Sequence, residues 1–361
     1  MILAIRLNAK RKHQGAIAAD LIVHRAHPLN CETAPAALIG GVIMPSARFY
    51  VRNHFPVPRV DPDRYRLRIG GLVEQPMELT LHEIFRLRTH SMIATLECAG
   101  NGRALFDPPI DGEQWAFGAV STAEWTGVPL AELLDWAGVR SQAREVIFRG
   151  ADQSKVDDGE AVRFERSLTV EQARGSRALL AYAMNGEPLP MQHGYPLRLI
   201  VPGWYAVASV KWLTDIELID HPFTGHFQRG KYWYEWRRES VVAREPVTYQ
   251  RVRALITGPS PNAILPRGQL TIRGAAWSGA AAIARVEVAI GDDWREAELV
   301  GDRTQNCWQR WELRTRIHRP GPTTVRARAT DLAGHSQPDS AERNRLGYGN
   351  NSVQCVPVLV V

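Results

Sequence analysis

The chain has 361 residues, 45% hydrophobic and 23% charged, with a formal net charge of +6 and four cysteines. That size allows two or three domains with a large core, and the composition is that of an ordinary globular protein. The absence of any run of about 18 apolar residues argues against a helical membrane span. The four cysteines, far apart and without a Cys-X-X-Cys pair, argue against a zinc site or disulfide framework. The positive charge is dispersed arginine, suited to a small anionic ligand, and no nucleic-acid-binding module is recognisable.

Residues 1–45 read as an irregular, Pro- and Ala-rich lead-in with some helical content. The basic stretch Met1 to Arg25 lacks an apolar h-region, a small-residue cleavage site and a twin-arginine pair, so the expected location is cytoplasmic. The prolines of Arg48-Phe49-Tyr50-Val51-Arg52-Asn53-His54-Phe55-Pro56-Val57-Pro58 disfavour helix and predict an extended segment entering a loop. Arg64 to Leu72 alternates apolar and charged residues into Gly70-Gly71, a strand and turn, and Thr80-Leu81-His82-Glu83 carries a capping box. Ser91 to Leu96 reads as a short buried strand that delivers Cys98 into a loop of small residues. Asp107 to Gly112 is a surface turn. The spacing of Leu130, Leu133, Leu134 and Ala137 predicts a packed helix over Pro129 to Ala137.

Glu145 to Asp152 predicts a strand ending on an aspartate. Asn185-Gly186 is a tight turn and Leu197 to Val201 a strand ended by Pro202-Gly203. Another strand is expected from Ser209 onward, alternating through Val210, Trp212, Thr214, Ile216 and Leu218. A boundary falls near Glu245-Pro246. Beyond Arg253 come short strands at Leu270 to Gly274, Arg285 to Ile290 and Thr323 to Ala329, with a turn at Gly291-Asp292-Asp293, suggesting a small β-sandwich.

Two groups of residues carry chemistry. In Cys98-Ala99-Gly100-Asn101-Gly102-Arg103 the small residues let the backbone approach a bound group, and Arg103 places a cation beside the thiol. A lowered thiol pKa there favours metal ligation or nucleophilic attack, although a lone cysteine in such a turn is commonly buried and inert. Taken singly, His193, Arg198 and Lys211 fit solvated charges or a satisfied core histidine. Together they suit a ligand carrying a phosphate, which needs charge-assisted hydrogen bonds.

The cysteine loop resembles that of the sulfite oxidase family of molybdenum enzymes, which includes the molybdenum domain of eukaryotic nitrate reductases. The resemblance extends over the Arg48 to Pro58 string and the block from Ala183 to Leu213. It implies that Cys98 ligates the metal of a molybdopterin cofactor, a soft donor suited to such a centre. It further implies that Arg52 faces an oxyanion substrate, that Tyr50, Val51, Asn53 and His54 touch the cofactor, and that His193, Arg198, Ser209, Val210 and Lys211 hold it. Asp152 resembles a pterin contact but equally fits an Asx turn, and Trp115 is either near the substrate pocket or a core residue. Tyr232 matches the active-site tyrosine, with Tyr234 in an adjacent register.

The implied fold is α+β: a mixed-sheet cofactor domain over 1–248, then an Ig-like β-sandwich over 249–361. The latter is similar to the family's dimerisation domain, including the ending Tyr348-Gly349-Asn350-Asn351-Ser352-Val353, so a two-fold homodimer is expected. The implied activity is oxidation of sulfite to sulfate, with Arg52 and Arg103 holding the anion. No haem or flavin is expected in the chain, so electrons pass to a separate acceptor, a cytochrome or oxygen. The alternatives are a nitrate or sulfoxide reductase at the same centre, a non-enzymatic assembly protein, and a hydrolase using Cys98 with His193. The chain departs from the family in carrying Gly102-Arg103 where sulfite-oxidising members have paired arginines. The segment Cys307-Trp308-Gln309-Arg310-Trp311 does not place the arginine those members bring from the C-terminal domain.

Overall fold

The computed structural model describes residues 18–156, 159–238 and 241–361. The period-two alternation of the sequence becomes strand in nearly every segment where it was read, because one face of each strand packs on a core and the other meets solvent. Among the described residues α-helix is confined to Leu81–Ile84, Leu130–Ala137 and Val170–Gly175, with a few single turns. The protein is therefore predominantly β with mixed sheets, poorer in helix than an α+β reading implies.

Two five-stranded sheets build the N-terminal part. In the first, Glu187–Pro188, Leu179–Met184, Val120–Pro129 and His90–Glu97 run antiparallel, with Arg198–Ile200 also on Leu179–Met184. The second has the order Met77–Thr80, Arg66–Gly71, Leu213–Ile219, Glu145–Lys155, Ala161–Thr169. There Leu213–Ile219 is parallel to Arg66–Gly71 and antiparallel to Glu145–Lys155. The sheets share a core containing Leu67, Ile69, Phe148, Leu180, Leu199 and Ile216, onto which the helix Leu130–Ala137 turns Leu130, Leu133, Leu134 and Ala137. The capping box forms as the sequence predicts: the Glu83 N–H donates to Thr80 Oγ1 at 3.2 Å and the Thr80 N–H to Glu83 Oε2 at 2.8 Å.

The C-terminal part is a four-stranded sheet (Arg253–Gly258, Gly268–Trp277, Gln309–Ile317, Glu298–Val300) and a five-stranded one (Ala263–Leu265, Gln354–Val360, Gly321–Asp331, Ile283–Ile290, Asp293–Glu296). Ile272 and Leu313 of the first meet Val288, Val325 and Val356 of the second in a common core. A further cluster crosses between the two parts, joining Phe49, Leu96, Cys98, Trp115 and Trp125 to Leu255, Ala275, Trp277 and Trp308.

Two expectations change. From residue 18, the lead-in is a hairpin, Leu21–Arg25 with Asn30–Thr33, followed by a 3-10 turn at Pro35–Gly40. The remainder, with most of the stretch on which the location was read, lies outside the described residues. The strand expected from Ser209 begins only at Leu213. A 3-10 turn at Ala206–Ala208 precedes it, and Trp212 takes φ +48°, a left-handed conformation that breaks the alternation. Ser209, Val210 and Lys211 thus sit on a connector, not in a ladder. Among the described residues no helix is long and apolar enough to cross a membrane.

Candidate active site

A cavity opens where the first sheet, the Phe49–His54 segment and the connector after Ile200 meet. Its walls include Tyr50, Arg52, Asn53, His54, Cys98, Asp152, His193, Arg198, Ser209, Lys211 and Tyr232. Residues spread over 183 positions of sequence are thus brought to one place, and each is delivered by identifiable local structure.

Cys98 follows the strand His90–Glu97. Its N–H donates to Ala119 O (2.9 Å) and its carbonyl accepts from the Asn101 N–H (2.9 Å), which closes the loop. The thiol is 7% exposed. Burial pushes its pKa up, opposed by Arg52, by a Gly100 N–H and by Arg103. The effect of arginine expected from the sequence is present in sign, but desolvation outweighs it.

The Phe49–His54 segment is pinned by backbone pairing of Val51 with Cys31. The Asn53 N–H donates to Asn30 Oδ1 at 2.7 Å, and Asn53 Nδ2 to Gln192 Oε1 at 2.8 Å. Arg52 Nη1 bonds Asn30 Oδ1 (3.3 Å) and the Asn53 carbonyl, and the side chain reaches the cavity.

Opposite, His193 ends a 3-10 turn, buried edge-on to Phe49 at 5.2 Å. Desolvation, with Lys211 and Arg198 nearby, lowers its pKa to about 3, so the imidazole is neutral. Arg198 donates from Nη1 to His193 O (2.9 Å) and from Nη2 to Ser209 O (3.2 Å), with its guanidinium over Trp125. Burial lowers its pKa to about 10. Lys211 Nζ donates to Arg52 O and Gln192 O, both at 2.9 Å, and to Asn53 Oδ1. Desolvation and the neighbouring arginines hold its pKa well below the ordinary lysine value, while Asp152 pulls the other way. Asp152, 4% exposed, has its own pKa raised to about 6 by burial.

Tyr232 caps the remaining side. Its hydroxyl lies 2.6 Å from His54 Nε2, and desolvation by the surrounding rings, with Arg52 and Lys211 close, keeps His54 neutral. Tyr234 instead packs under Arg251, 4.1 Å from the ring centroid, and does not line the cavity.

Four sequence-expected residues do not present side chains to the cavity. Val51 and Val210 are buried in the core. Trp115 is fully buried in the cluster that crosses between the two parts. Arg103 is 6% exposed, its Nε donating to Leu346 O (3.1 Å) and Nη1 to Glu113 O (2.9 Å). Two backbone carbonyls, not an open pocket, receive that guanidinium.

Sequence reasoning missed what stands behind the cysteine. Glu97, 2% exposed, accepts from Asn101 Nδ2 (2.9 Å), Trp277 Nε1 (2.9 Å) and Arg253 Nη1 (3.4 Å). Arg253, also 2% exposed, comes from the first strand of the C-terminal part. The available signal was a carboxylate ending an apolar strand, which cannot stay buried without a cation.

The site fits an anionic, hydrogen-bonding cofactor. Asp152 Oδ1 and Arg198 Nε are buried there with no partner, so the cavity wall holds an acceptor and a donor that a bound group would satisfy. The cations Arg198 and Lys211 favour a phosphate, and Cys98 offers one soft thiolate. Among the described residues no set of three His, Cys, Asp or Glu side chains is grouped to hold a metal ion.

Comparison with known proteins agrees. The family described as oxidoreductase molybdopterin binding domain matches residues 54–227, and the Mo-co oxidoreductase dimerisation domain matches residues 244–360. The chain is 32% identical to the sulfite oxidase of Arabidopsis thaliana, covering 92% of each. It is 33% identical to the mitochondrial sulfite oxidase of Mus musculus, where 94% of this chain spans 66% of the relative's length. Among solved structures it is similar to the sulfane dehydrogenase SoxCD of Paracoccus pantotrophus, with a TM-score of 0.81, 28% identity and coverage of 97% and 89%.

Proposed function

The chain belongs to the sulfite oxidase family of molybdopterin-dependent oxidoreductases, and on that premise we propose that it oxidises sulfite to sulfate, passing electrons to a separate acceptor. The observation that carries the reading is the convergence of Cys98, His193, Arg198 and Lys211 on one cavity whose wall keeps Asp152 Oδ1 and Arg198 Nε unpartnered. Molybdopterin, when bound, supplies the oxygen-atom transfer and the two-electron redox change.

The protein's own residues bind, orient and move protons. Cys98 is the metal ligand. His193, Arg198, Ser209 and Lys211 hold the pterin and its phosphate, with Asp152 accepting from it, and Tyr50, Asn53 and His54 line the same wall. Arg52 is the guanidinium that receives the substrate oxyanion, since its fork matches such a group. A proton at Tyr232 Oη has neutral His54 Nε2 as its neighbour at 2.6 Å, a pair able to pass protons between cavity and protein. Arg103 supports the cysteine loop through its two carbonyl contacts.

The division at 248/249 is part of this proposal, as is the Ig-like character of the C-terminal part. Two facing antiparallel-rich sheets around one core support the latter. A homodimer formed through that part is supported by the dimerisation-domain match.

The test is elemental analysis for molybdenum on the same purified sample used for sulfite-dependent reduction of an artificial acceptor, with nitrate assayed in parallel. Stoichiometric molybdenum with sulfite turnover is expected, and Cys98→Ser should lose the turnover outright. Metal with turnover of nitrate alone would turn the reading to a reductase. No metal, from a host that makes the cofactor, would overturn the assignment of Cys98.

A further inference from the structure

Tyr232 holds a conformation that its own sequence does not favour. Its φ is +60°, the left-handed region, which costs a bulky residue of order 1–3 kcal/mol and persists only where the surroundings over-determine it. The Tyr232 carbonyl accepts from the Val247 N–H at 2.9 Å, and the Tyr232 backbone N–H meets the Tyr348 hydroxyl. The rest of the restraint comes from elsewhere. The ring of Tyr348 stacks on that of Tyr232 with centroids 5.0 Å apart and planes within 13°. Two buried cations face the stacked pair, Arg166 with Cζ 5.6 Å from the Tyr232 centroid and Arg103 with Cζ 5.2 Å from that of Tyr348. Arg166 is fixed in turn by the Phe227 carbonyl.

Tyr348 is rigidly mounted. Its N–H donates to Asn344 Oδ1 (3.1 Å) and its carbonyl accepts from Asn344 Nδ2 (2.8 Å). The next residue, Gly349, donates to Ala99 O at 2.8 Å, inside the cysteine loop. Two residues earlier, Leu346 O accepts from Arg103 Nε. One short segment of the C-terminal part thus touches both the loop that carries Cys98 and the ring that carries the Tyr232 hydroxyl.

We infer that Tyr348 is a positioning residue for the reaction, its ring holding the strained Tyr232 so that the Tyr232 hydroxyl stays against His54 Nε2 and aimed into the cavity. The inference rests on the sulfite-oxidising reading for its kinetic consequence, though not for the placement itself. It gives the C-terminal part a share in the active site in addition to any role in pairing two copies. Offset-stacked aromatic pairs and cation–π contacts supply the required hold, each worth enough to offset much of a left-handed residue's cost.

The test compares Tyr348→Leu, which removes the ring, with Tyr348→Phe, which keeps it, in the full-length enzyme. Sulfite turnover across pH is measured together with hydrogen–deuterium exchange of segment 228–236. Tyr348→Leu is expected to lower kcat about tenfold or more, since a misplaced proton carrier forfeits its general acid–base contribution. KM should stay within about twofold, because Arg52 still binds the anion. The pH profile of kcat should change shape, and exchange in 228–236 should rise. Tyr348→Phe keeps the ring but loses the hydroxyl that the Tyr232 backbone N–H meets, so its kcat, pH profile and exchange should fall between those of wild type and of the Leu variant. Three results would overturn the inference: a Leu variant with wild-type kcat and pH profile, a slow Leu variant whose 228–236 exchange is unchanged, or a Phe variant as impaired as the Leu one. If wild type itself does not turn over sulfite, the functional reading fails and exchange in the two variants alone decides the placement.

Discussion

Replacing Arg253 by Met tests the buried network behind Cys98 with a number that can be worked in advance. The substitution keeps a long stem but removes the cation 3.4 Å from Glu97 Oε1, leaving that carboxylate 2% exposed with only Asn101 and Trp277 donating to it. A buried carboxylate deprived of its cation costs about 3–5 kcal/mol, unless it escapes by taking up a proton. Escape sets a ceiling. Burial already holds this carboxyl above its ordinary value of 4.5 in the wild type, so protonation at pH 7 spans less than 2.5 units at about 1.36 kcal/mol each and the ceiling lies below about 3.4 kcal/mol. The ceiling falls by about 1.4 kcal/mol for each unit of acidification, to below about 1.4 kcal/mol at pH 5.5. Urea unfolding of Arg253→Met against wild type at pH 5.5, 6.5 and 7.5 should therefore show a stability loss that grows with pH. Adding Glu97→Gln to the same chain should recover most of the loss at pH 7.5 and flatten the dependence. A loss below about 1 kcal/mol at pH 7.5, or one independent of pH, would refute the claim that Arg253 compensates Glu97.

Three other perturbations have expected signs. Arg52→Gln removes a charge-assisted contact worth about 1.5–3 kcal/mol and should raise KM for sulfite roughly 10- to 100-fold with a smaller effect on kcat; an unchanged KM would take Arg52 out of the anion site. His193 has its pKa lowered from 6.5 to about 3 in the folded protein, so the stability it contributes is complete above pH 6.5 and is lost as pH falls toward 3. In cofactor-free protein that amounts to at most about 5 kcal/mol, and His193→Asn should shrink this part of the acid destabilisation measured by thermal melting. Gly102 has φ +86°, and a Cβ there would lie 3.0 Å from Asn350 O and 3.1 Å from Arg253 Nη2. Gly102→Ala should cost about 1–2 kcal/mol in the urea midpoint, and an unchanged midpoint would show that the loop relaxes freely.

The sequence carried the site further than it carried the surroundings of the site. His193, Arg198 and Lys211 were legible because they match the family's block in identity and spacing, and they line one cavity. The same spacing could not reveal that Trp212 turns left-handed, which removes Lys211 from the strand and places it on a connector. Arg103 was read as an anion ligand because the resemblance carries over one arginine of the family's cysteine loop. Leu346 and Glu113, 243 and 10 residues away, supply the carbonyls that claim it instead. Trp115 could be core or pocket by sequence; it is fully buried, with its indole N–H unpartnered. The Glu97–Arg253 pair spans 156 residues, a separation over which no local pattern operates. The paired tyrosines 232 and 234 were ambiguous in register until a hydrogen bond to His54 distinguished one of them.

The cluster that joins Leu96, Cys98 and Trp125 to Leu255, Ala275 and Trp277 bears on how this chain can be divided. Sequence families split it into two consecutive modules, but a cut between them would expose the apolar cluster to water, take Arg253 and Trp277 from Glu97 and strip the cysteine loop of its backing. Each half is the other's solvent. Recombining either half with a distant relative's counterpart would need the buried charges, aromatic wedges and the Tyr348 segment exchanged together, so the natural unit of inheritance for this active site is the whole chain.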